Sequence, residues 1–205
     1  MSLSLAGLRE DGRRAGEMRQ IGVKMGLGGA CDGSAYFEMG QTRVLCEVVG
    51  PHEGRRGAGA EAHERAQIVV EYCLAPFAGL ERKRRRAGDR QGVELALAVQ
   101  QSLASSVLVA SYPNTQINVF LTVLQDDGGR LPACINAATL ALVDAGVAMS
   151  DLLVACSAGM VQVGARESFG ALACVLHSRR TRFKQRSDGS HAGSGKAQTM
   201  YMFHL

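Results

Sequence analysis

Two stretches of this sequence carry residue types suited to work on phosphate groups. The first is Glu81–Arg90, ERKRRRAGDR. There Arg82, Lys83, Arg84, Arg85 and Arg86 run consecutively and Arg90 follows, against only two acids. Consecutive cations suit contact with a phosphate backbone, because each neutralised charge releases counterions and little base identity is read. The same run also serves as a solvated charged loop or as a nuclear localisation signal. The second stretch is Asp126-Asp127-Gly128-Gly129-Arg130, which precedes an apolar helical pattern. Gly128 and Gly129 allow backbone to approach an anion, a helix N-terminus would aim N–H groups at it, and Arg130 would add a charged donor. A tight turn ahead of a helix is the other reading of these residues, and it needs no ligand.

The remaining reactive side chains form no constellation. Arg55 and Arg56 sit in the glycine-rich stretch 52–66, where RNA guidance and plain solubilising charge are equal readings. His52, His63, His177, His191 and His204 are scattered, and none has a nucleophile beside it, so no catalytic residue is assigned. The six cysteines (Cys31, Cys46, Cys73, Cys134, Cys156, Cys174) contain no C-x-x-C pair, and most lie in apolar runs. Buried thiols are expected, and no metal site.

Elements that could position these groups follow from hydrophobic periodicity. Strands are expected over 17–26, 34–39, 42–49, 67–73, 115–124 and 152–163. The second and third should form a hairpin about Gly40–Gln41, closed off by Pro51. Leu95, Val99, Leu103 and Val107 recur every four residues, which predicts a helix over 91–110 capped by Asp89 and broken at Tyr112-Pro113-Asn114. A second helix over 132–145 has Pro132 in its first turn and Gly146 as its stop. It is apolar around most of its girth, so deep burial is expected. Residues 171–178 read as one more strand. This order predicts an α+β fold, helices packed on a mixed sheet.

Composition sets the outer limits. The chain has 205 residues, 46% of them hydrophobic, with no Trp and 25 Gly, so an aliphatic core joined by many tight turns is expected. No apolar run is long enough for a transmembrane helix. The N-terminal segment lacks the pattern of a signal peptide, so an intracellular protein without membrane attachment is expected. The net charge of +4 is uneven: residues 166–205 hold seven Lys/Arg and two acids, and the body is near neutral. Residues 165–205 therefore read as a basic, partly disordered tail.

Several segments together resemble the RNase PH family. They are DGRRAGEMRQI, DGSAYFEMGQTRVLCEVVGPHE, LERKRRRAGDR, LQDDGGR and ACINAATLALVDAGVAMSDLLVACSAG, collinear over roughly residues 9–160. The nearest likeness is to RNase PH-like subunits of the exosome ring. The resemblance implies a ribosomal-S5-like βαβ sandwich over residues 9–164. It further implies a six-membered ring of such domains, RNA-binding cap subunits, single-stranded RNA in a central channel, and residence in nucleus, nucleolus and cytoplasm. It places the 82–90 loop at that channel, with Arg90 at a family RNA or phosphate position and Gln91 where a second arginine often stands.

The resemblance also shows what is missing. Active members seat inorganic phosphate on a Gly-Gly-Thr-Arg-type turn and hold a divalent metal with spaced acids beyond the last matched strand. Here Arg130 takes the hydroxyl position, Leu131 takes the arginine position, and Pro132 removes a backbone donor. After Val163 the sequence is GARESFGALACVLHSRR, with Glu167 as its one acid, so the chain reads as truncated or alternatively ended from about residue 162. The expected function is a non-catalytic subunit that binds RNA and scaffolds 3'-to-5' RNA processing, with no cofactor. The alternative is an active phosphate-dependent 3'-to-5' exoribonuclease using phosphate, a divalent metal and a shifted Arg130.

Overall fold

β5 (Thr115–Gln125) is the strand around which the other elements are arranged. Ile117, Val119, Leu121 and Val123 alternate along it, and each is completely buried. That period of two turns every second side chain to one face. β3 (Thr42–Glu53) presents Val44, Cys46 and Val48 to the same face, and β2 (Gly33–Met39) presents Ala35 and Phe37. With β1 (Ile21–Met25) and β4 (Gln67–Leu74), the five strands lie in the order β1-β2-β3-β5-β4. Pairing is antiparallel except between β4 and β5, which run parallel. A parallel pair needs a crossover, and α1 (Arg90–Ser106) supplies it. The result is the mixed sheet and βαβ unit that the sequence predicts.

The computed structural model describes residues 11–14, 17–53, 65–82 and 89–159, and the backbone of strands at 161–163, 166–168, 180–181 and 198–204. α2 (Arg130–Asp144) lies across β2 and β3 on one side and meets β6 (Leu153–Gly159) on the other. This two-sided contact is why its sequence is apolar around most of the helix. Ala133, Ile135, Ala137, Ala138, Ala141 and Leu142 are all fully buried. The polar side chains on that helix are used to hold β6. Asn136 donates to the Ala155 carbonyl (3.0 Å) and accepts from the Ala155 N–H (2.8 Å), and Thr139 donates to the Leu153 carbonyl (2.9 Å).

Four expectations need correction. Pro51 does not end β3, which continues to Glu53. The ladder with β5 shifts register between Val49 and His52, and pairing with β2 stops at Val48, so Pro51 sits where no strand needs its missing N–H. α1 ends at Ser106, not near Ala110. Val107 is buried as expected, but it forms an isolated bridge to Met149, and a single 3-10 turn follows at Val109–Ser111. Asp89 stands at the α1 N-cap, yet its side chain makes no capping bond; its carbonyl accepts from Val93 (3.0 Å). The first strand is confined to Ile21–Met25.

Gln198–His204, within the span expected to be a tail, pairs antiparallel with β6 (β10), and short strands occur at Val161–Val163 (β7), Arg166–Ser168 (β8) and Arg180–Thr181 (β9). The predicted strand at 171–178 lies outside the described residues.

Gly33 is where β2 passes closest to α2. A Cβ there would collide with the backbone carbonyl oxygen of Ala141 and the backbone nitrogen of Ala145, neither of which can swing away. Gly33→Ala is therefore expected to cost about 1–3 kcal/mol, as overpacking does. Urea denaturation measures this, and an unchanged midpoint would mean that β2 and α2 do not approach as described.

Candidate functional site

The turn from β5 into α2 is built from Asp126, Asp127, Gly128 and Gly129. Gly128 (φ 85°) and Gly129 (φ 71°) both adopt left-handed backbone, which side-chain-bearing residues rarely do. Gly129 occupies the N-cap of α2, and its carbonyl accepts from Ala133 (3.2 Å). A Cβ on Gly129 would also press on the Met39 methyl at 2.8 Å. The sequence reading of a Gly-Gly turn at the head of a helix therefore matches the geometry.

Most polar groups of this turn are satisfied from within the protein. Thr42 is fully buried at the start of β3; its hydroxyl donates to the Gly128 carbonyl (2.7 Å) and accepts from the Asp127 N–H (3.2 Å). Arg19 precedes β1, and its guanidinium donates to the carbonyls of Asp127 (2.7 Å) and Gly128 (3.1 Å). The Asp127 carboxylate lies 3.7 Å from the same guanidinium. The Gly128 N–H donates to the Asp126 carboxylate (3.2 Å). Arg130, the first residue of α2, reaches back across the turn to Asp126 (3.3 Å). Leu131 turns inward against the core and Pro132 is buried, so neither offers a donor to solvent.

Neither Arg19 nor Thr42 was singled out from sequence. They lie 85 to 109 residues from the turn along the chain, and only the fold brings them together.

Arg130 and Asp126 line an open groove shared with Gln91 at the start of α1 and with Tyr72 on β4. The groove brings together two of the segments marked in the sequence, 90–91 and 126–130. Arg90 itself projects away: its side chain is 92% exposed and pairs with Glu94 (2.9 Å) within α1. Arg82 is exposed. Lys83, Arg84, Arg85 and Arg86 lie outside the described residues, as do Arg55 and Arg56 and Cys174; of the stretch expected to carry metal-binding acids, only the backbone of short strands is described, Glu167 of β8 among it. Cys31, Cys46, Cys73 and Cys134 are free thiols. Among the described residues, no three His, Cys, Asp or Glu side chains gather in a way that could hold a metal.

The interior behind the turn is apolar enough to shift two titrations. Burial pushes the Cys134 thiol up to about 12; the nearby Arg130 opposes the rise and Asp126 adds to it. Burial also raises the Tyr72 phenol to about 12. The Tyr72 hydroxyl is buried and makes no hydrogen bond of good geometry among the described residues, while the nearby Arg130 guanidinium opposes the rise.

A group whose folded value is raised contributes stability below its unfolded value and loses it as pH climbs toward the folded one. For Cys134 and Tyr72 the loss begins near the ordinary values of 9.0 and 10.0 and runs to about 12. Stability measured by thermal unfolding should therefore fall between pH 9 and 12. Tyr72→Phe should flatten the upper part of that fall while costing little at pH 7, because the hydroxyl it removes makes no hydrogen bond of good geometry. A profile identical to the parent's would contradict this burial. At the turn, Thr42→Val is expected to destabilise by about 1–3 kcal/mol, since two backbone groups lose their buried partner.

Comparison with known proteins gives consistent findings. Residues 17–148 match the family model described as "3' exoribonuclease family, domain 1". The chain is 47% identical over 159 residues to the Homo sapiens protein named exosome complex component RRP41, covering 78% of this chain and 65% of that protein. It is 48% identical over 153 residues to the Arabidopsis thaliana homolog of that component, covering 75% and 63%. To the Methanopyrus kandleri component Rrp41 it is 39% identical over 160 residues, covering 78% and 66%. The chain thus spans about two thirds or slightly less of each of these relatives. The crystal structure of rice Rrp46 superposes with a TM-score of 0.66 at 31% identity, covering 75% of this chain and 69% of that one.

Proposed function

This chain belongs to the 3' exoribonuclease (RNase PH) family, and on that footing we propose that it is an exosome-ring subunit that holds RNA and its neighbours without cutting RNA. Phosphorolysis needs donors poised on an attacking phosphate and on the leaving RNA phosphate, with a cation to offset the charge. The observation that carries the reading is the state of the turn. Arg130, its cation toward the groove, is paired with Asp126, its carbonyls are held by Arg19 and Thr42, and Leu131 faces the core where the family's active pattern has an arginine. An incoming phosphate would have to displace Asp126 and would meet two carboxylates.

Single-stranded RNA would instead be gripped by the cations of residues 82–90, through backbone phosphates and without base readout. Neighbouring RNase PH-like subunits and RNA-binding cap subunits are the proposed partners, in nucleus and cytoplasm. The left-handed Gly128-Gly129 pair does keep a backbone that an anion could approach, and this is what an active phosphorolytic reading would build on.

The test uses end-labelled oligoadenylate with inorganic phosphate and Mg²⁺ or Mn²⁺, on the chain alone and in a reconstituted ring. Binding without phosphate-dependent shortening is expected; release of nucleoside diphosphate in step with shortening would reject the proposal. Replacing Lys83, Arg84, Arg85 and Arg86 by serine should weaken binding and lower the salt dependence, by a slope of about 0.7 for each RNA phosphate that is no longer neutralised. An unchanged slope would mean that RNA binds elsewhere.

A further inference from the structure

β4 runs out into a turn, Ala75-Pro76-Phe77-Ala78, closed by the Ala78 N–H donating to the Ala75 carbonyl (3.0 Å). Pro76 stands second in it, where its fixed φ suits the turn, and Phe77 third. Both ends are anchored. The Ala75 N–H donates to the Val123 carbonyl of β5 (3.0 Å), and the Ala78 carbonyl accepts from the Asp126 N–H (2.9 Å). Ala75 and Ala78 are buried, yet Phe77 between them is 69% exposed. It is the one exposed Phe or Tyr among the described residues, and Leu80, just beyond, is fully exposed.

A ring held out to water adds little to the core, because hydrophobic stabilisation scales with the area removed from water. What the anchored turn supplies instead is a flat face already fixed in place, so that little ordering is left to be done on binding. Its position is specific. Pro76 and Leu80 line the groove shared by Arg130 and Asp126, whereas Phe77 does not, so the ring stands beside the Gly-Gly turn's groove and not within it. The exposed Arg82 follows five residues later, which puts it within about 18 Å even at full extension. A flat apolar face therefore adjoins both the groove and the first of the cations read as gripping an RNA backbone.

We infer that Phe77 is a stacking platform for a base of single-stranded RNA. The inference rests on the RNA-holding function proposed above and names a second kind of contact for it. A nucleotide offers an anionic phosphate and a flat ring; cations hold the first, and an exposed aromatic ring holds the second. Every base has such a face, so stacking is tolerant of sequence and agrees with a grip that reads no base edges. It does select strandedness, because single strands offer unstacked bases that a duplex keeps within its helix. The adjoining cation favours a polyanion over an apolar protein surface as the occupant of this ring.

The experiment is fluorescence anisotropy of the full chain with two end-labelled ligands of equal length, oligoadenylate and the same ribose-phosphate backbone lacking its bases. Phe77→Ala should weaken oligoadenylate by about fivefold or more, the size of one stacked base, and leave the baseless strand unchanged. Phe77→Leu, apolar but without a flat ring, should match the alanine variant, and Phe77→Trp should keep the parent's affinity. The salt slope should stay the same in all three, since no phosphate contact is lost. An equal loss on both ligands, a leucine variant as tight as the parent, or no effect of Phe77→Ala on oligoadenylate would overturn the platform. Each of these leaves the RNA-holding function standing while serine at Lys83–Arg86 still lowers the slope. Failure of the parent chain to bind oligoadenylate would instead sink that function, and the platform with it. In a reconstituted ring the Phe77 dependence should persist; its loss there would mean that a neighbouring protein covers the ring, which overturns the inference.

Discussion

The connection from β5 to α2 is the constraint on which the site depends. β5 buries one whole face, and α2 is buried against the sheet on one side and β6 on the other. Four residues must join them, and the polar groups that this otherwise exposed turn points toward the core need partners inside the protein. Arg19 and Thr42 meet that requirement from elements distant in sequence, by bonding the carbonyls of Asp127 and Gly128. The shape of the Gly-Gly turn is thus fixed by the protein's own side chains. A turn fixed in this way needs no bound anion to hold it.

The charges around the turn follow from the same arrangement. Ion pairs as exposed as Arg130–Asp126 add little stability, about 0–1 kcal/mol. The consequence of this pair lies in direction: a carboxylate in the turn just before the helix takes the guanidinium that a phosphate would need. The α2 N-terminus keeps a favourable dipole for anions, worth only about 0.3–1 kcal/mol at an exposed site. That is small against the cost of bringing a dianion beside Asp126 and Asp127. An account of phosphate chemistry here would have to find its missing charge outside the turn, whereas a grip on RNA needs only cations such as those of residues 82–90.

How much was legible in the sequence depends on what each signal measures. The period-two pattern of β5 placed that strand to within a residue at each end, because it reports one buried face directly. The four-residue stripe of α1 carried through Val107, and Val107 is indeed buried, but as a bridge partner beyond the helix end. Periodicity registers burial, and burial outlasted the helix there. Pro51 misled because its cost depends on whether a neighbour needs its N–H, which is a property of sheet order. At the site, Gly128-Gly129 before an apolar run could be read, because the left-handed turn is a local demand. The Arg19 and Thr42 contacts could not, because no local pattern encodes a partner some 85 to 109 residues away.

Sheet order, also invisible to local pattern, decides where the molecule has open edges. β1 and β4 are the two outer strands, and their surroundings differ. β1 exposes Ile21, Val23 and Met25, an apolar row with only Lys24 for charge, and nothing there selects among occupants. The β4 edge carries Glu71 beside its main-chain groups, in register through Phe120 of β5 with Glu47 of β3. Unpaired edges invite association with identical edges, and charge placed along them is a common defence. Two acidic edges brought together would set like charges opposite one another, which is unfavourable. The Glu71 carboxylate thus disfavours a second copy of the chain along β4, because specificity is a difference between affinities and repulsion contributes as much to it as attraction.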